Sequence, residues 1–111
     1  MGTINSVPGT TLSDTPPFPY YNDAVYLDDG NAQAWTVPAD VAFVIIHPDG
    51  DIWARADGTA AVPGADVTDG TAGVRIAGGT SFQLRAAYGQ TISFIREDAS
   101  TTIVNISCWK R

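Results

Sequence analysis

From Ala24 onward the chain alternates between short apolar runs and clusters of Gly, Pro, Asp and Asn. Ala24-Val25-Tyr26-Leu27 stops at Asp28-Asp29-Gly30-Asn31, and Gln33-Ala34-Trp35-Thr36-Val37 stops at Pro38. Val41-Ala42-Phe43-Val44-Ile45-Ile46-His47 is the most apolar run and reads as a central strand. Pro48-Asp49-Gly50 follows, and Asp-Gly between two apolar runs predicts a hairpin with Asp51-Ile52-Trp53-Ala54-Arg55 as the returning strand. A strand shows successive side chains to opposite faces, so Ile52 and Ala54 share one face and Trp53 and Arg55 the other. Residues 57–73, rich in Gly, Ala, Pro and Asp, read as a long ordered connection that crosses between sheets or meets a partner. Four more runs follow: Val74–Ile76, Ser81–Arg85 with Phe82 and Leu84 inward, Thr91–Ile95 with Ile92 and Phe94 on one face, and Thr102–Trp109. In the last run Thr102, Val104, Ile106 and Cys108 share one face, and Ile103, Asn105, Ser107 and Trp109 the other. Eight short strands spaced by roughly 8–12 residues, with no segment of helical period, predict an all-β chain. The architecture expected is an antiparallel β-sandwich, jelly-roll-like, over residues 24–111.

Residues 1–23 break the pattern. They hold Pro8, Pro16, Pro17 and Pro19 and no alternation. Thr15-Pro16-Pro17-Phe18-Pro19 favours an extended, polyproline-like path, because proline fixes its own φ and restricts the residue before it. Phe18, Tyr20 and Tyr21 set the segment apart from an ordinary linker, since such rings seek a surface to bury against. The reading is an N-terminal arm that lies on its own domain or reaches a neighbour.

Composition agrees with the strand pattern. Val and Ile supply nine residues each and Thr twelve, whereas Leu occurs three times and Glu, Lys and Met once each. One domain's worth of core fits 111 residues. Charged residues are 16% of the chain and the formal net charge is -6, which argues against nucleic acid and anionic membranes as partners. The charge is uneven: residues 1–69 carry ten acids and one base, whereas residues 70–111 carry Glu97 and Asp98 against five bases. Such asymmetry suggests complementary patches between copies or towards a partner. No apolar run reaches membrane-spanning length and no signal-type apolar core follows Met1, so synthesis in the cytoplasm is expected.

Candidate chemistry is sparse. Cys108 is the only cysteine, so no internal disulfide forms, and its apolar neighbours suggest a buried thiol. His47 is the only histidine; a triad with Asp49 or Asp51 lacks a Gly-flanked nucleophile, and one His with one Cys cannot build a zinc site. Asp28, Asp29 and Asn31, or Asp49 and Asp51, offer oxygens for calcium, but Asp in turns needs no metal to explain it. Gly78-Gly79 lacks the Gly-Lys-Ser/Thr of a phosphate loop. No catalytic residue and no cofactor is expected. Trp35, Trp53 and Trp109 could stack on sugars, or they could pack in or at the edge of the core. Buried Trp35 and Trp53 with a docked arm would speak for assembly, and a solvent-facing aromatic groove for carbohydrate binding.

From Trp35 onward the order of features resembles small virion proteins of tailed phages. The resemblance rests on Trp35-Thr36-Val37-Pro38-Ala39, on the runs Val41–Ile46 and Asp51–Arg55, and on Asp57-Gly58-Thr59-Ala60-Ala61-Val62-Pro63 followed by Asp66-Val67-Thr68-Asp69-Gly70-Thr71. It is most specific in that connection and covers about three-quarters of the chain. The resemblance implies a capsid decoration (cement) protein on the outer head surface, bridging subunits of the major capsid protein. It also implies association with copies of itself, a trimer being one such assembly. For capsid contact the expectation falls on Phe18, Tyr20 and Tyr21 of the arm. For self-contact it falls on Ala60, Val62, Pro63 and Val67 of the connection, with Arg75 and Arg85 from the basic half. The alternative is a carbohydrate-binding β-sandwich of a tail or head fibre.

Overall fold

The computed structural model describes residues 18–85 and 87–110. Eight strands form where β-branched and aromatic residues alternate with polar ones: β1 (Tyr21–Leu27), β2 (Gln33–Thr36), β3 (Val41–Pro48), β4 (Ile52–Ala56), β5 (Val74–Ile76), β6 (Phe82–Arg85), β7 (Thr91–Arg96) and β8 (Thr102–Lys110). They build two four-stranded antiparallel sheets, in the orders β1-β8-β3-β6 and β2-β7-β4-β5. The molecule is an all-β sandwich. β1 pairs with β8, β2 with β7, β3 with β6 and β4 with β5, as in one long hairpin folded over on itself, and β3·β8 and β4·β7 complete the sheets.

The period-two faces emerge as the alternation requires. Val104, Ile106 and Cys108 of β8 meet Val44 and Ile46 of β3, and across the core lie Ile52 of β4 and Ile92 and Phe94 of β7, all buried. Phe94, Leu27 and Trp35 fill the bulkiest part of the same cluster. Phe82 stands opposite Ile46, on the inner side, yet stays partly exposed because β6 is an edge strand. Trp35 is buried, with its indole N–H donating to Asp23 Oδ2 at 2.8 Å. Trp53 lies instead on the outer face of β4, half-buried, and its indole N–H donates to Glu97 Oε1 at 3.0 Å.

Two expected connections turn out differently. Pro48-Asp49-Gly50 is not a hairpin: β3 and β4 lie in different sheets and do not pair. Past Pro48 the chain stays beside β8, where Asp49 N–H donates to Ile103 O at 3.0 Å and Asp49 Oδ1 accepts Ile103 N–H at 2.8 Å. Gly50 then passes so close to Gly78 that a Cβ on Gly78 would lie 2.6 Å from Gly50 Cα. Asp51 Oδ1 accepts Gly78 N–H at 2.8 Å as the chain enters the second sheet. Positive φ, which a tight Asp-Gly hairpin demands, occurs among the described residues at Asp40, Asp57, Gly70, Gly79 and Gly89 but not at Gly50. The apolar faces of Ile46 and Ile52 decide the matter, because each is buried by facing the other sheet across the core. The long connection between β4 and β5 joins two neighbouring strands of one sheet, so it does not cross between sheets.

The pairings give the sandwich two distinct ends. One end carries the turns 28–32, 49–51, 77–81 and 97–101. The other carries the start of β1, the end of β8, the turns 37–40 and 87–90 and the connection 57–73.

Candidate functional site

At the end where β1 begins and β8 finishes, a cleft of about 250 Å³ is lined by Phe18, Tyr20, Phe43, Trp109 and Lys110. Local geometry makes it. A register irregularity in β3 between Val41 and Phe43 keeps Val41 in the core while Phe43 faces outward opposite Trp109. The two rings stack, with centroids 4.8 Å apart and planes 6° from parallel. Tyr20 closes the side: its N–H donates to Cys108 O at 3.2 Å, its hydroxyl donates to Ala39 O at 3.2 Å, and Lys110 Nζ lies 4.9 Å from its ring centroid. Desolvation, then the nearby Cys108, Asp40 and Tyr21, hold the Tyr20 hydroxyl above its ordinary pKa. It therefore remains a neutral donor at neutral pH. Arg85 of β6 opposes Phe43 from the other side.

Of the residues expected to contact a capsid, Phe18 and Tyr20 line this cleft, and Phe18 is 88% exposed. Tyr21 is the first residue of β1, opposite Cys108, with its ring 6.1 Å from that of Tyr20. Tyr21, Asn22 and Asp23 therefore belong to a strand rather than to an arm, while residues 1–17 lie outside the described residues.

The residues expected at a self-contact divide. Val62 and Val67 are exposed, and Arg85 is exposed beside the cleft. Pro63 lies between them on the connection, partly covered. Ala60 is 2% exposed, with its N–H held by Ser93 Oγ at 2.9 Å, so it anchors the connection to β7 and presents nothing outward. Arg75 is already neutralised within the chain, by Glu97 at 2.7 Å and Asp51 at 3.0 Å. Its pairing is intramolecular because β5 lies beside β4 and the turns bring both acids to the same place.

The other candidates resolve into turn chemistry. Asp29 accepts from Asn31 N–H and Nδ2, and Asp98 accepts from Ser100 N–H at 2.9 Å. Asp49 and Asp51 are engaged with backbone donors of Ile103 and Gly78 rather than with His47, which is exposed on β3. Among the described residues no three His, Cys, Asp or Glu side chains gather as a metal site. Cys108 is fully buried, and burial, with the nearby Asp23 charge adding to it, raises its pKa to about 11, so little thiolate exists at neutral pH. A second cleft of about 430 Å³ is lined by small and polar residues, among them Ala34, Asp57, Thr59, Thr91 and Ser93.

Phe43 and Lys110 were not expected at the site, and Trp109 was expected only as a sugar-stacking or core residue. Their signal was present, because a Trp on the face shared with Asn105 and Ser107 is out of place in a solvated row. Tyr88, 73% exposed in the turn before β7, adds a further ring at the same end. No protein family, curated protein or solved structure matches the chain.

Proposed function

We propose that this protein is a non-catalytic virion component of a tailed phage, a decoration protein that sits on the outer head surface and bridges major capsid subunits. The observation that carries the reading is the contrast between the two ends. Phe18, Tyr88, Val62 and Val67 are exposed at the end that bears the cleft, whereas the other end exposes Tyr26 and Phe82 beside its turns and engages the carboxylates of Asp29, Asp49, Asp51, Glu97 and Asp98 in hydrogen bonds and ion pairs within the chain. A surface of exposed aromatic and apolar groups on a rigid sandwich suits docking, which needs shape and a dry centre rather than an active site. The choice of partner rests on the resemblance, from Trp35 onward, to small virion proteins of tailed phages. The order β1-β8-β3-β6 over β2-β7-β4-β5, with every early strand paired to a late one, supports a jelly-roll reading of the sandwich. Localisation would then be the capsid surface, after synthesis in the host cytoplasm. Electron-microscope reconstruction of the virion tests this: regular density of this size on the head is expected. A head without it would refute the proposal.

Carbohydrate binding on a fibre is the second reading, and the aromatic lining of the cleft favours it. Trp109, however, is only 8% exposed and one of its faces is occupied by Phe43, which leaves a poor platform for a sugar ring. Micromolar binding to host glycans would reverse the ranking.

A further inference from the structure

We propose that β6 is the pairing edge of a two-fold dimer, in which β6 of one copy lies antiparallel to β6 of a second and carries the β1-β8-β3-β6 sheet across the axis. The first observation is an unguarded side of the sandwich. β1 packs over β2 at one side, so β6 and β5 are the edges at the other. The β1 side is closed by Asp23, which lies on the inner face opposite Ile106 and accepts the indole N–H of Trp35. A charge turned inward on an edge strand guards it against pairing with another chain. β6 has no such device: its inward residues are Phe82 and Leu84, and it carries no proline and no register irregularity. β5 is also unguarded by charge but is blunted by its length of three residues. The second observation is an unfinished core. Phe82 and Val74 point between the sheets, opposite Ile46 and Ala54, yet are 36% and 49% exposed. The third is the backbone. Among the described residues no turn or loop backbone hydrogen bond reaches residues 82–85, so the outer row of β6 amides and carbonyls is open to a further strand.

A second copy is the occupant that fits both layers. A two-fold axis normal to the sheets sets β6 against β6 and, in the other layer, β5 towards β5. One contact then covers Phe82 and Val74 together, whereas a lone strand from another protein would extend only one sheet. Side chains and charge fix the register. An axis of this kind keeps inner faces with inner faces. Centred on Gln83, it sets Phe82 of each copy opposite Leu84 of the other, twice over, with Gln83 opposite Gln83 and Arg85 opposite Ser81. Apolar pairs directly opposite stabilise a ladder and like charges destabilise it, so a register centred on Arg85 is disfavoured. Arg85, expected at a self-contact, thus lies within the interface.

The test uses full-length protein in free solution and is independent of the capsid reading. Sedimentation velocity from micromolar to millimolar concentration is expected to show a monomer–dimer equilibrium. Phe82→Lys turns a charge inward on β6 and is expected to weaken dimerisation about tenfold or more. Gln83→Lys and Gln83→Glu change an exposed position and spare the fold should Phe82→Lys unfold it. Each opposes like charges across the axis and is expected to weaken the dimer. An equimolar mixture of the two opposes unlike charges and is expected to dimerise more tightly than either variant alone. Gln83→Cys is expected to form an intermolecular disulfide on oxidation, because residues opposite one another in an antiparallel ladder stand about 4.5–5.5 Å apart, within a disulfide's span. Tyr26→Cys, on the guarded β1 edge, is not. Amide exchange in β6 is expected to slow as concentration rises. A wild-type monomer at all concentrations would overturn the proposal. So would a dimer indifferent to both charge changes at Gln83. Amides of β6 protected equally at every concentration would show the edge covered within the chain, and would equally refute it.

Discussion

Individual residues decide where this sandwich tolerates change. Gly78 is required because its Cβ position is occupied by the Gly50 backbone at 2.6–3.0 Å, and backbone cannot swing aside as a side chain would. Gly78→Ala is expected to cost about 1–3 kcal/mol, as overpacking of a close contact does. Gly64 has open space around its Cβ position and no positive φ, so Gly64→Ala should be neutral or stabilising by about 0.4–1 kcal/mol. Urea unfolding of the pair measures both, and equal stability of the two variants would contradict the packing argument. Glu97 makes a pH-dependent contribution. Hydrogen bonds from Arg75, then from Trp53, hold its carboxyl below the usual carboxylate range. A lowered folded pKa means stability that is present above the unfolded value of about 4.3 and is lost as pH falls through the folded value. Glu97→Gln should therefore be less stable than wild type at pH 7, and the gap should close on acidification. A gap that stays constant to pH 3 would show that the charge is not what stabilises this corner.

At the level of strands, what could be read from the sequence was what is local. Eight runs of period two became eight strands, and the faces of β4, β7 and β8 followed from alternation alone. Pairing is not local. Asp49-Gly50 looks like a hairpin by its own chemistry, but the burial of Ile46 and Ile52 across the core overrides it. The same cause explains the uneven charge. Because each early strand lies beside a late one, the acidic and basic halves of the chain interleave, and Arg75 meets Asp51 of the acidic half, together with Glu97 of its own half, instead of a second molecule. The cleft was hidden for a similar reason, since the irregularity that turns Phe43 outward opposite Trp109 depends on β8, which is distant in sequence. The boundary of the arm matters for experiment. Removing residues 1–17 leaves every strand whole. Removing 1–23 takes Tyr21, Asn22 and Asp23 from β1 and leaves the buried Trp35 indole N–H without its acceptor. An unpaired buried donor costs about 1–3 kcal/mol, which in a domain of this size lowers the melting temperature by roughly 5 °C or more. Equal melting of the two truncations would show that β1 contributes little.

For the whole molecule, the difference between the ends sets a prediction about orientation. Docking on a capsid through the end bearing the cleft buries Tyr88 and the connection at Val62 and Val67, and leaves the turns at Asp29 and Asp98 in solvent. Tyr88 is the cleanest probe, because its ring is largely exposed in the free chain and removing it should cost the fold little. Truncating an aromatic that acts as an interface hot spot costs about 2 kcal/mol or more, so with Tyr88 in that role Tyr88→Ser should weaken head binding by at least tenfold while its melt matches wild type. Asn31→Ala and Ser100→Ala, at the far end, should bind as wild type. Quantitative co-sedimentation with undecorated heads measures all three. If the far-end variants lose binding and Tyr88→Ser does not, the molecule docks upside down relative to this reading. The exposed rings would then face outward, where a glycan or another virion component would meet them.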